Sequence, residues 1–241
     1  SAATHLAPVS LELGGKGANI VFEDADVDNA VYWAVEAIFR NAGQICLAGS
    51  RLFVHSSLYD EFMERFVAAA EALTIGDPFD PATKFSSLAS KRHFDKVASY
   101  VESARELGGT IHTGGVAEDG SWVVRPTIID GLALDAAPYC EEIFGPVCVV
   151  NSFDTEEEAV GLANDTRYGL NAMLFTENLS RAHRVASKLR AGTVWVNCFF
   201  IRDLRTPFGG VGDSGVGREG GNFSREFFTE PKAVVMQIDR G

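Results

Sequence analysis

The chain is poor in cysteine and in positive charge, and it has no long apolar run. Four cysteines, Cys46, Cys140, Cys148 and Cys198, stand without zinc-like spacing in 241 residues, and a disulfide framework requires a smaller, denser arrangement. The apolar company of Cys140, Cys148 and Cys198 reads as that of buried small hydrophobes. A reducing cytoplasm is the simplest compartment for such a chain. Lys and Arg number 21 against 33 Asp and Glu, a net charge of −12. The basic residues are scattered, which argues against nucleic acid and against an anionic membrane surface as partners. The longest apolar stretches, such as Val147–Val150 and Thr193–Cys198, fall far short of the roughly 18 residues needed to cross a bilayer. No signal-peptide pattern opens the chain, which begins at Ser1 as though in mid-stride.

Two phosphate-binding signals are also missing. No Gly-x-Gly-x-x-Gly lies between a strand and a helix, no Gly-x-x-x-x-Gly-Lys-Ser/Thr occurs, and Glu12-Leu13-Gly14-Gly15-Lys16 is too short to form a phosphate loop. The five histidines show no metal spacing, so no metal site is expected, and they read as surface or core residues.

What is present is an alternation of strand and helix signals. Ala18–Phe22, Arg51–His55, Thr110–Thr113, Trp122–Ile129, Pro146–Phe153, Thr193–Asn197 and Lys232–Ile238 have strand character. Between them, apolar residues recur at helical spacing from Ala30 to Ile38 and from Leu58 to Leu73, and again over roughly 90–107 and 179–189. Asp24 and Asp26 are candidate caps for the first helix, and Thr155 ahead of Glu156, Glu157 and Glu158 is another helix start. The pattern predicts an α/β fold: an open, twisted, mostly parallel sheet with helices on both faces. The stretch from Cys198 to Asn222 reads as one long, Gly-rich, charged loop.

Several residues could carry chemistry. Cys46 follows a helix stop in Asn41-Ala42-Gly43-Gln44-Ile45-Cys46, where free backbone amides could stabilise a thiolate; a packed loop cysteine is the plainer reading. Glu12, between Leu11 and Leu13, is a carboxylate at an apolar strand end, where burial raises a pKa toward that of a general base. An exposed strand-end glutamate is the alternative. Glu141 and Glu142 precede Ile143-Phe144-Gly145-Pro146 and could clamp a sugar hydroxyl or a cation, or form a solvated turn. Arg202 and Arg205 flank Asp203-Leu204. They could pair with a substrate carboxylate or form salt bridges within the loop.

Taken in order, Leu11–Lys16, Gly43–Cys46, Glu141–Val147 and Pro207–Gly210 with Ser214-Gly215 and Gly217-Arg218-Glu219 resemble the aldehyde dehydrogenase superfamily, from about Val9 to the C-terminus. The resemblance implies that Cys46 is the nucleophile, forming a thiohemiacetal and then a thioester, and that Glu12 activates the deacylating water. It implies that Glu142 holds the nicotinamide ribose, that Phe144 packs on the same half of the cofactor, and that Leu13 and Gly14 line it. The implied cofactor is NAD, with NADP left open.

Family members are about twice as long. Their N-terminal half carries the cofactor domain and the oxyanion-hole asparagine, so the chain resembles the catalytic half, incompetent alone, with that domain absent. On this reading residues 1–16 are the tail of the missing domain, 17–231 the catalytic domain, and 232–241 a terminal oligomerisation strand of a homo-oligomer. The segment Asn197–Phe208 resembles that of the 2-hydroxymuconic and 2-aminomuconic semialdehyde dehydrogenases of aromatic degradation. That likeness implies a carboxylated aldehyde, contacted by Arg205 first and Arg202 second, with Ile201 and Phe208 beside it. Two alternatives come from other classes: a cofactor-free thiol esterase and a non-catalytic assembly module.

Overall fold

The computed structural model describes residues 1–117 and 121–239. Seven strands form one sheet: β2 (Ala18–Val21), β3 (Arg51–His55), β4 (Thr110–Val116), β5 (Val124–Asp130), β6 (Val147–Phe153), β7 (Asn171–Phe175) and β8 (Thr193–Val196). Their order is β4-β5-β6-β3-β2-β7-β8, with all neighbours parallel except the antiparallel edge strand β4. A separate two-stranded ribbon pairs β1 (Leu11–Glu12) with β9 (Gly215–Val216).

Helices cover both faces, as the alternation predicted. Because side chains alternate along a strand, Ile20, Phe53, Val149 and Leu174 enter one core with α3 (Lys91–Glu106), α5 (Glu156–Asn164) and α6 (Leu179–Lys188). Val21, Leu52, Val54, Val150 and Met173 enter the other with α1 (Val27–Phe39) and α2 (Tyr59–Glu71). Burial on both faces is why these strands read as continuous apolar runs rather than alternating ones.

Local signals set most helix starts. The side chains of Asp26, Ser90, Thr155 and Asn178 accept hydrogen bonds from backbone amides of α1, α3, α5 and α6, satisfying amides that have no partner within the helix. Asp24 does not cap α1; its carboxylate takes the Thr176 hydroxyl and the Arg181 guanidinium, the latter at 2.7 Å.

Four readings of the sequence change. Asn171–Phe175 is an unexpected central strand, since Ala, Met and Leu favour helix on their own. The segment Cys198–Asn222 is not one loop: it contains β9 and enters α7 (Gly221–Phe228). Lys232–Ile238 forms no strand within the single chain; it follows α7 and is exposed. Residues 240 and 241 of the expected terminal strand lie outside the described residues. Finally, of the three cysteines read as buried, only Cys148 is; Cys140 is exposed and Cys198 half-buried. Among the described residues no helix is long and apolar enough to cross a membrane.

Candidate active site

The motif residues converge at the amino ends of three adjacent strands. Glu12 to Lys16 lead into β2, Cys46 lies five residues before β3, and Glu142 and Phe144 lie just before β6. Since β6, β3 and β2 are neighbours in the sheet, segments far apart in sequence meet at one edge. Open α/β sheets usually bind ligands at the carboxyl ends of their strands; here the chemistry-bearing residues sit at the opposite end.

Glycines permit the approach. At Gly43 the backbone has φ +68°, and a Cβ there would lie 2.2 Å from the carbonyl oxygen of Gly145. The loop to Cys46 and the loop from Glu142 thus touch backbone to backbone. Gly215 at φ +129° serves Glu12 in the same way: a Cβ would lie 1.9 Å from the Leu11 carbonyl oxygen, so the β1–β9 pairing of Glu12 with Gly215 requires glycine. The Ser214 carbonyl also accepts from the Leu13 amide at 3.0 Å. In this way the Ser214-Gly215 motif holds the strand that carries Glu12.

The two carboxylates bond to consecutive amides. Glu12 Oε1 accepts from Gly14 N, and Glu142 Oε1 accepts from Gly15 N, each at 3.1 Å. Glu142 is pushed above the usual carboxylate range by burial, with the charge of Glu12 adding to the shift and the Gly15 amide and Lys96 opposing it. The expected burial around Glu12 is absent, because Leu11 and Leu13 are exposed and its strand lies at the surface.

The Cys46 thiol is half-buried and beside the Glu12 carboxylate. Burial first, then Glu12, and last Glu142, push it up to about 11. The backbone amide of Cys46 opposes the shift, in the sense expected of the loop amides, but burial and the two carboxylates outweigh it, so within this chain Cys46 is held as a thiol at neutral pH with a carboxylate beside it. Beneath the site Lys16 is fully buried, its ammonium donating to the Pro138 carbonyl at 2.9 Å, and burial with the nearby Arg51 lowers it to about 7. Arg51, also buried, donates to the carbonyls of Lys16, Leu162 and Ala163 and ties the Gly14-Gly15 segment to the end of α5.

A cleft of about 860 Å³ reaches Leu47, the residue after Cys46, and is lined also by Trp195, Phe200, Ile201, Arg202 and Phe208 among others; Cys46 itself is not in its wall. Phe208 is fixed by a two-way backbone bridge to Glu219, and Ile201 by the Trp195 indole, which donates to its carbonyl at 2.8 Å. The two arginines differ. Arg205 is bound to Asp203, with Nε at 2.9 Å from Oδ1 and Nη2 on Oδ2, and it does not line the cleft. Arg202 lines it, with its guanidinium 5.3 Å from the centre of the Phe200 ring. Arg40, which the sequence did not single out, lies 5.8 Å from the same ring.

The motif side of the site offers a nicotinamide ribose a carboxylate and an aromatic ring. Gly14, at φ +81°, lets the Glu142 carboxylate come close to the backbone, since a Cβ there would lie 2.4 Å from Glu142 Oε1, and the Phe144 ring is partly exposed. Two residues outside the motifs, His93 and Lys96 on α3, also touch this segment. Neither carried a sequence signal, since His93 is one of five unspaced histidines and Lys96 one of six scattered lysines.

The chain belongs to the aldehyde dehydrogenase family, whose model matches residues 1–234. Within it, the chain is 51% identical to a 2-hydroxymuconic semialdehyde dehydrogenase from Pseudomonas sp. (strain CF600), over 99% of this chain and 50% of that protein. It is 46% identical to a 2-aminomuconic 6-semialdehyde dehydrogenase from Pseudomonas sp., over 100% of this chain and 50% of that one. Among solved structures, the NAD+ complex of an aldehyde dehydrogenase from Bacillus cereus superposes with a TM-score of 0.94 at 40% identity, covering 99% of this chain and 49% of that one. The chain spans about half the length of the curated relatives it matches.

Proposed function

We propose that this chain supplies the catalytic half of an NAD+-dependent dehydrogenase that oxidises a carboxylated semialdehyde, such as 2-hydroxymuconic semialdehyde, to the carboxylic acid. The observation that carries the reading is the meeting of Cys46, Glu12 and Glu142 at one sheet edge, next to an apolar cleft with one arginine in its wall. The identities to muconic semialdehyde dehydrogenases support the substrate class, and the NAD+ complexes among the structural relatives support the cofactor.

On this reading Cys46 loses its proton toward Glu12, and its sulfur bonds to the aldehyde carbon to form a thiohemiacetal. Glu142 would hold the ribose of the dinucleotide, with Phe144, Leu13 and Gly14 beside the nicotinamide. When bound, NAD+ supplies the acceptor for the hydride that leaves the substrate carbon. The acyl group is then held on Cys46 as a thioester. After the first proton has passed from Glu12 to solvent, Glu12 takes a proton from the attacking water, the carbon–sulfur bond breaks, that proton returns to the Cys46 sulfur, and the acid leaves. Arg202, Ile201 and Phe208 line the cleft that would take the substrate, which supports Arg202 as the partner of its carboxylate ahead of Arg205, whose guanidinium is paired with Asp203.

In this proposal residues 1–16 and 17–231 act as connection and catalytic unit. The exposed apolar residues Val234, Val235, Met236 and Ile238 support residues 232–241 as a pairing strand in a homo-oligomer. The test is NADH formation from 2-hydroxymuconic semialdehyde, with this chain alone and with it joined to a cofactor-binding half from a relative. The expected result is activity only in the joined protein, abolished by Cys46→Ala. Robust turnover by the 241-residue chain alone, or turnover that survives Cys46→Ala, defeats the proposal.

A further inference from the structure

The first two turns of α3 grip the Glu142–Gly145 segment. His93 Nε2 lies 2.6 Å from the Phe144 carbonyl oxygen. A carbonyl only accepts, so that nitrogen carries the proton. One turn later Lys96 Nζ donates to the Glu142 carbonyl at 3.1 Å. Val97 follows, packed so closely that a Cβ on Gly145 would lie 2.7 Å from its Cγ1. The His93 and Phe144 rings also meet edge to face, with centroids 6.0 Å apart.

This grip acts on a segment that does not relax into that shape unaided. Phe144 has φ +61°, a left-handed conformation that is unfavourable for a residue with a side chain. Such conformations persist where surrounding contacts over-determine them. Both carbonyls that flank Ile143 are held from the helix, and Ile143 itself is buried. With its main chain pinned at two points, the Glu142 side chain is directed onto the Gly15 amide and the Phe144 ring outward. The segment then bears on the nucleophile, because the Gly145 carbonyl packs directly against Gly43 in the loop that leads to Cys46.

We infer that His93 and Lys96 are positioning residues: from α3 they hold Glu142 and Phe144 in place and, through the Gly145–Gly43 contact, support the loop that carries Cys46. The functional weight of this inference rests on the proposed roles of Glu142 and Cys46; the structural claim does not. Side chains that fix a reacting group from behind matter because small misplacements are costly in rate.

The Gly15 amide is a built-in reporter, since its hydrogen bond to Glu142, 127 residues away in sequence, exists only while the segment is in place. The experiment measures amide hydrogen exchange at Gly15 by NMR, together with the pH dependence of Cys46 alkylation, in the 241-residue chain. The variants are His93→Ala, His93→Gln, Lys96→Met and Lys96→Arg. Gly15 protection is expected to fall about tenfold in His93→Ala and Lys96→Met, a loosening of roughly 1.4 kcal/mol, and to return in His93→Gln and Lys96→Arg, which keep a donor. Because Glu142 is one of the charges that raise the Cys46 pKa, His93→Ala should also alkylate about twofold faster at a fixed pH below the midpoint, as a fall of a few tenths of a unit implies. Lys96 is exposed at the helix surface, so Lys96→Met keeps the test open if His93→Ala fails to fold. Unchanged Gly15 protection in both donor-removing variants overturns the inference, with or without a fall in Tm. Lost protection, together with unchanged NAD+ binding on Glu142→Ala in the joined protein, supports the positioning role and overturns the cofactor role of Glu142 instead.

Discussion

Glu12 and Glu142 accept hydrogen bonds from the adjacent amides of Gly14 and Gly15, each at 3.1 Å, so two carboxylates of the site are set by one dipeptide. Their charges also reach Cys46, which makes the thiol a sensor of both.

The first prediction concerns that thiol. With Cys46 raised to about 11, only about one molecule in ten thousand carries the thiolate at pH 7. Alkylation by iodoacetamide should be slow at neutral pH and rise steeply toward alkaline pH. Negative charge disfavours a thiolate, so Glu12→Gln should lower the midpoint and speed alkylation at pH 8. A neutral-pH rate as fast in the parent as in Glu12→Gln contradicts this.

Gly14→Ala should damage the site more than the fold. The positive φ alone costs about 1–2 kcal/mol, and the new Cβ falls 2.4 Å from Glu142 Oε1. Thermal unfolding should show a loss of that order. The Cys46 midpoint should fall as Glu142 is driven away.

At Gly215 an added Cβ meets backbone, not a side chain that could swing aside, at 1.9 Å from the Leu11 carbonyl oxygen. Gly215→Ala should therefore split the β1–β9 ribbon and release Glu12 while the seven-stranded sheet survives. Circular dichroism should stay close to that of the parent, and Cys46 should behave as in Glu12→Gln.

The two loop arginines should differ in a protein that holds the cofactor-binding half. Losing a charged hydrogen bond costs about 1.5–3 kcal/mol. Arg202→Ala should accordingly reduce kcat/KM for a carboxylated semialdehyde by about 10- to 100-fold relative to a neutral aldehyde. Arg205→Ala, which removes an arginine already bound to Asp203, should reduce it much less. Equal losses on both aldehydes would remove the carboxylate from the argument.

The layered fold was legible because its signals are local: the strand runs of β2, β3 and β6 and the caps at Asp26 and Thr155 each act within a few residues. Asn171–Phe175 was missed because its strand state comes from burial between β2 and β8, which no local propensity encodes. The motif residues Cys46, Glu12 and Glu142 could be picked out by their resemblance to a family, but their electrostatics could not. The Cys46 shift comes from burial and from charges 34 and 96 positions away in the chain. Arg205 shows the same limit in reverse: its partner is two residues away, yet whether that pair or a ligand claims it depends on how the loop folds.

The placement of Glu12, Cys46 and Glu142 at the amino ends of β2, β3 and β6 sets them away from the opposite rim of the sheet. Turns such as the one after β3, at Ser56–Leu58, and the one after β6, at Asp154–Thr155, lie on that far rim. They are the natural points for attaching a fluorophore, an affinity handle or an immobilisation tether, because a graft there has the whole depth of the sheet between it and the thiol.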